Sequence, residues 1–206
     1  TNVSSYRKST ISAIYVDNAL VSGNSPRLNG VGGQNLELIG SFFGPTVNIN
    51  ANIIKLQYGR DDNQAIKYEV GCSASNHSRL LCTSVAGVGT DHILRAVING
   101  LVGEWTSSLS LSYKEPIVSE VSGPGALESR TEGGATVNIY GSNFGPRFTN
   151  IRALPCGITT TPIYTPQEFI ARQYADLQVQ YGPISDSKYR GQCCVIHSDK
   201  HMECTT

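Results

Sequence analysis

Charge is scarce in this chain. Only 16% of its 206 residues are Asp, Glu, Lys or Arg, and 16 acidic side chains cancel 16 basic ones. A general nucleic-acid or membrane-surface binder needs a cationic face to release counterions or to meet anionic lipid. No nucleic-acid partner is therefore expected. Long apolar runs are also missing, and nothing approaches the roughly eighteen residues of a membrane-spanning helix. Methionine and tryptophan occur once each, as Met202 and Trp105. The chain opens at Thr1 with no initiator methionine and no charged-then-apolar leader, so it reads as a processed protein or a piece of a longer one.

What is present is a repetition. Gly32-Gly33-Gln34-Asn35-Leu36-Glu37-Leu38-Ile39-Gly40-Ser41-Phe42-Phe43-Gly44-Pro45 returns as Gly133-Gly134-Ala135-Thr136-Val137-Asn138-Ile139-Tyr140-Gly141-Ser142-Asn143-Phe144-Gly145-Pro146, displaced by 101 throughout. Cys72 and Cys82 are echoed by Cys194 and Cys204, again ten apart. Repetition at this period signals tandem modules of about a hundred residues, each large enough for a modest core.

The texture is β. Leu36–Ile39, Ile54–Tyr58, Ile93–Ile98 and Leu109–Tyr113 alternate apolar with polar residues between Gly, Asn, Asp and Pro punctuators. Such alternation places one strand face on a core and the other in water. The expected class is all-β: two tandem sandwiches. One helix is predicted, over Pro166–Tyr174, with Thr165 as cap and Pro166 in the first turn. It lies in an insertion. Gly44 to Tyr58 spans 14 positions and Gly145 to Tyr181 spans 36, so the second module carries about 22 extra residues, roughly Phe148 to Tyr174. The expected division is a spare N-terminal strand at 1–8, a first module at 9–115 and a second at 116–206. Tyr113-Lys114-Glu115-Pro116-Ile117 leaves no flexible linker, which predicts a stiff pair.

Six cysteines, an even number in a repeated spacing, favour disulfides and an oxidising compartment. The sequons Asn2-Val3-Ser4 and Asn76-His77-Ser78 agree, and mark Asn2 and Asn76 as candidate glycosylation sites.

Taken in order, the motifs resemble the IPT/TIG immunoglobulin-like family. They are Gly32-Gly33, Gly40 to Gly44, Cys72 with Cys82, Gly87-Val88-Gly89-Thr90-Asp91-His92 and Ser112-Tyr113-Lys114-Glu115-Pro116-Ile117. The second module repeats Gly133-Gly134, Gly141 to Gly145, and Cys194 with Cys204. The resemblance implies an immunoglobulin-like fold. It implies function only loosely, since the family serves receptors, adhesive surface repeats, transcription factors and accessory modules of polysaccharide enzymes.

Within that frame Cys72–Cys82 and Cys194–Cys204 are the natural pairs. Cys193 and Cys194 are neighbours on a strand, so their side chains point to opposite faces. One meets Cys204 while the other holds the insertion through Cys156. Either assignment is open: Cys194 with Cys204 and Cys193 with Cys156, or the reverse.

Catalytic chemistry is not expected. His197-Ser198-Asp199-Lys200-His201 has ligand-like spacing but reads as a polar turn between cysteine strands, so no metal or other cofactor is assigned. The resemblance implies a histidine at the start of a strand where His92 falls, hence a structural role, and Asp91-His92 lacks a nucleophile motif. Arg60-Asp61-Asp62-Asn63 lacks the oxygen ladder of a calcium loop, and Gly30-Val31-Gly32-Gly33 precedes a strand rather than a helix. Trp105 is read as packing in preference to a carbohydrate contact.

The second module also stops early. The first continues past Cys82 through two further strands, around His92–Asn99 and Thr106–Tyr113, whereas only Thr205 and Thr206 follow Cys204. A sandwich lacking those strands exposes an apolar face and an unpaired edge. Either a longer array supplies them next, or another copy donates a strand. Thr1-Asn2-Val3-Ser4-Ser5-Tyr6-Arg7-Lys8 echoes Ser108–Lys114, the last strand of a module, which predicts head-to-tail association through Thr1–Tyr6 at one end and Cys204, Thr205 and Thr206 at the other. The expectation is a non-enzymatic extracellular or cell-surface structural protein, part of a filament or long surface array. Its partners would be copies of itself or neighbouring modules, with glycans beside them. The alternative is a receptor or adhesin ectodomain that binds a protein or carbohydrate.

Overall fold

The computed structural model describes residues 7–23, 25–44, 54–59, 68–127, 131–149, 179–182 and 189–206. Thr1–Tyr6, the acidic run 60–63, Cys156, the predicted helix at 166–174 and all of the insertion except Phe148 and Thr149 lie outside those residues. The chain divides into two compact units, Thr1–Lys114 and Glu115–Thr206.

Unit 1 contains β1 (Thr10–Val16), β2 (Ala19–Leu20), β3 (Asn35–Ser41), β4 (Ile54–Gly59), β5 (Tyr68–Asn76), β6 (Arg79–Thr83), β7 (His92–Ile98), β8 (Leu101–Val102) and β9 (Ser110–Leu111). Their order is β2-β1-β3-β6-β5-β4-β7-β8, with β9 on β7. The two layers are not separate sheets. Residues Tyr68–Gly71 of β5 pair with β4, and Cys72–Asn76 pair with β6, so one sheet folds over on itself along β5.

Alternation does the sorting. Ile14, Val16, Leu36, Leu38, Leu80 and Cys82 face inward from one layer, and Leu56, Tyr58, Leu94, Ala96 and Leu111 from the other; all are buried. Each fully buried aliphatic side chain of this size stabilises the fold by about 1.5–3 kcal/mol. The strand expected over Thr106–Tyr113 is shorter, because Thr106 occupies its pairing groups locally. The Thr106 hydroxyl accepts from the Leu94 amide at 3.0 Å and donates to the Leu109 carbonyl at 2.6 Å. Tyr113 then runs parallel to Leu28, with Leu28 donating to the Ser112 carbonyl and Lys114 to that of Leu28.

Unit 2 contains β10 (Ile117–Ser122), the single-turn helix α1 (Pro124–Leu127), β11 (Thr136–Ser142), β12 (Phe148–Thr149), β13 (Val179–Tyr181), β14 (Tyr189–Ser198) and β15 (His201–Thr205). The order is β10-β11-β15-β14-β12, with β13 on β14. Ile139, Phe144, Cys194, Ile196, Met202 and Cys204 form its core.

The units repeat each other to the level of single torsions. Gly32, Gly33, Phe42 and Gly44 have φ of 72°, 84°, 64° and 87°; Gly133, Gly134, Asn143 and Gly145 have 72°, 83°, 62° and 88°. The Gly33 amide donates to the Ser84 carbonyl at 2.8 Å, as Gly134 does to Thr206 at 2.7 Å. Gly40 and Phe43 donate to Ser78 and His77, as Gly141 and Phe144 do to Lys200 and Asp199. A Cβ on Gly40 would strike the Thr10 carbonyl and the Phe43 ring, and one on Gly141 the Ile117 carbonyl and the Phe144 ring. Even the bulges match. β1 slips register at Ser12 and β10 at Ser119, and each serine hydroxyl donates to a carbonyl of the next strand at 3.2 Å (Ile39 and Tyr140). Among the described residues unit 2 has no counterpart of β7 or β9.

Candidate functional site

The two units differ most where β7 and β9 lie in unit 1. There Tyr58 on β4 faces Tyr68 on β5, ring centroids 4.8 Å apart. His92, which opens β7, sets its ring edge-on to Tyr68 at 5.4 Å, and Tyr113 lies 5.4 Å from Tyr68 on another side. The hydroxyls of this cluster are matched, whereas the buried His92 Nδ1 has no hydrogen-bond partner among the described residues. Tyr113 donates its one proton to the Val85 carbonyl at 2.9 Å, so the Tyr58 hydroxyl, 2.9 Å away, donates to Tyr113. Tyr68 donates to the Val88 carbonyl and accepts from the Val88 amide, both at 2.9 Å. His92 Nε2 lies 3.2 Å from the same carbonyl, which can only accept, so that nitrogen carries the proton. Burial pushes Tyr58 up to about 12 and raises Tyr68 and Tyr113 further. Neutral, buried and hydrogen-bonded, the three tyrosines pack with His92 inside the module.

Unit 2 carries the matching pair in the open. Tyr181 on β13 faces Tyr189 on β14 with the rings stacked at 5.4 Å. The register identifies them with Tyr58 and Tyr68. Cys193 is the one extra residue of β14, at a bulge with φ of 50°, and counting back across it brings Tyr189 onto Tyr68. Tyr58 and Tyr68 are 0% and 3% exposed, whereas Tyr181 and Tyr189 are 39% and 56% exposed. Val121, the β10 counterpart of fully buried Ile14, is 51% exposed. Ile117 and Val118 beside it are exposed too. The apolar inner face of a sandwich is thus partly solvent-facing in unit 2.

The sequence-predicted residues fall as follows. Cys72 and Cys82 are directly paired across β5 and β6 and joined by a disulfide, and Cys194 is joined to Cys204. Cys193 is itself disulfide-bonded. Asn76 ends β5 at an exposed hairpin tip, where its Oδ1 accepts from the Ser78 amide at 2.8 Å and the Ser78 hydroxyl at 2.9 Å. Asn2 lies outside the described residues, as do Thr1, Val3, Ser4, Ser5 and Tyr6. Arg7 and Lys8, within the segment expected as a spare strand, are exposed and not in a strand. Thr205 closes β15, and Thr206 exchanges backbone hydrogen bonds with Gly134 and Ala135. His197 and His201 flank the β14–β15 turn with stacked rings at 4.9 Å, and Tyr140 stacks on His201 at 4.7 Å. Among the described residues no group of three or more His, Cys, Asp or Glu could hold a metal ion. Trp105 carries the Arg95 guanidinium 4.3 Å above its ring. Sequence reasoning singled out neither Val121 nor Tyr189, although Tyr181 entered the count of the insertion by its match to Tyr58.

No family model matches the chain. No curated protein matches it. Among solved structures it is similar to the extracellular region of plexin A4, domains 1 to 10, at 10% identity and a TM-score of 0.35. That match covers 96% of this chain and 12% of the plexin chain. Among the described residues no helix is long and apolar enough to cross a membrane.

Proposed function

We propose that the chain is a non-enzymatic structural component of an extracellular or cell-surface array built from IPT/TIG-like modules. Its modules join head to tail, and the open face of unit 2 is closed by strand complementation. One observation carries this reading: Val121 is half-exposed at the place where Ile14, its counterpart, is sealed by the far layer of unit 1. A sheet face of this kind is closed in unit 1 by alternating apolar strands, Leu94 and Ala96 from β7 and Leu111 from β9. Two disulfides among the described residues support an oxidising compartment. A contact between unlike ends is heterologous and propagates unless its geometry closes a ring.

The test is a charge on the face. Val121→Asp should reduce assembly measured by light scattering, while Val31→Asp, at an exposed apolar position of unit 1, should not. Both variants should keep the native circular dichroism, because neither side chain is buried. Assembly that is unaffected by Val121→Asp counts against complementation at this face.

A further inference from the structure

We propose that the Tyr181–Tyr189 face of unit 2 is filled by the N-terminal segment of a second copy of this chain, with Tyr6 taking the place that Tyr113 holds in unit 1. The inference rests on the array reading above and names its contact.

In unit 1 the paired tyrosines are completed by a third. Tyr113 packs 5.4 Å from Tyr68 and sets its hydroxyl 2.9 Å from that of Tyr58. The Tyr181–Tyr189 pair has the same cross-strand register and stacked rings, yet both side chains remain exposed. Aromatic rings of this size reward burial, and a buried phenol needs a hydrogen-bond partner. The completing residue is therefore an aromatic on an extended segment, with a hydroxyl aimed at Tyr181.

The chain holds one such segment whose place in a module is independently fixed. The bulge serines Ser12 and Ser119 align β1 with β10 at an offset of 107. The same offset carries Ser112-Tyr113-Lys114 onto Ser5-Tyr6-Arg7. Tyr113 stands before β10 as Tyr6 stands before β1, at the same distance and in the same Ser-Tyr-cation setting. Unit 1 already contains its own completing tyrosine, in Tyr113. Tyr6 thus matches a closing residue in sequence, and among the described residues no third tyrosine covers the Tyr181–Tyr189 pair as Tyr113 covers Tyr58 and Tyr68.

The experiment uses the full chain and a labelled peptide of residues 1–9, with fluorescence anisotropy for peptide binding and light scattering for assembly. The peptide should bind the full-length Tyr6→Ala chain and suppress assembly of the unmodified chain. Tyr6→Ala in the peptide, or Tyr181→Ala in the chain, should each weaken binding at least tenfold. The two changes together should cost little more than either alone. Tyr6→Phe in the peptide should give an intermediate loss, which separates ring packing from the hydroxyl contact. If the unmodified chain assembles but Tyr6→Ala assembles equally well, another strand fills the face; the assignment fails and the array reading stands. If the unmodified chain is monomeric and the peptide does not bind, both fail.

Discussion

The hydroxyls of Tyr58 and Tyr113 lie 2.9 Å apart in the interior of unit 1, in a relay that ends on the Val85 carbonyl. Burial raises the pKa of both phenols and so keeps them neutral, that of Tyr58 to about 12. The unfolded chain releases these protons near the ordinary value of about 10. Between those limits the folded state holds more protons, so its stability is complete below pH 10 and is lost as pH rises. For Tyr58 alone the loss is about 3 kcal/mol across the window. Tyr58, Tyr68 and Tyr113 should ionise only as the circular dichroism of the fold disappears. Tyr58→Phe should cost about 1 kcal/mol at neutral pH, yet flatten the alkaline decline.

The same cluster depends on a glycine. A Cβ on Gly87 would lie 2.6 Å from the rings of both Tyr113 and Tyr68. Gly87→Ala should destabilise unit 1 by about 1–3 kcal/mol through overpacking. Gly100→Ala meets no atom within 4 Å but has φ of 80°, so its expected cost is about 1 kcal/mol, from backbone strain alone. Denaturant melts of the two variants compare the two effects. A cost for Gly87→Ala below that of Gly100→Ala would contradict the packing described for Gly87.

Much of this was readable beforehand, and the failures have physical causes. The 101-residue displacement placed β3 and β11 because glycines and alternating apolar residues govern turns and faces locally. His92 was read as opening a strand, and β7 begins there. The sharing of β5 between layers left no local trace, because which strand pairs with which half of β5 depends on distant partners. The strand expected over 106–113 shrank because one threonine hydroxyl took over its hydrogen bonds, which periodicity does not record. The exposure of Val121 was equally hidden. Its sequence neighbourhood resembles that of Ile14, and only the absence of a covering layer among the described residues distinguishes them.

Cys193 and Cys194 could have exchanged roles on sequence grounds. The bulge at Cys193 resolves the geometry in favour of Cys194, which occupies the inward position opposite Cys204. Non-reducing peptide mapping should recover Cys194 linked to Cys204, Cys72 to Cys82, and Cys193 to Cys156. Recovery of Cys193 with Cys204 would contradict this pairing. Replacing Cys72 and Cys82 together by alanine should cost about 2–3 kcal/mol, the value for a ring of this size.

Asn76 offers its side chain at an exposed hairpin tip with the Ser78 hydroxyl bonded to it. Material secreted from a eukaryotic host should carry a glycan there, removed equally by Asn76→Gln and by Ser78→Ala. An unmodified Asn76 in peptide mass spectra of secreted protein would contradict it.

The central claim is that unit 2 is closed by another module. Its most direct test is the native mass of the unmodified chain, by light scattering, with negative-stain electron microscopy of the same sample. Extended particles of many times 22.1 kDa, dissolving on reduction and denaturation into chains of that mass plus any glycan, are the predicted result. A stable, monodisperse 22.1 kDa monomer would contradict the account.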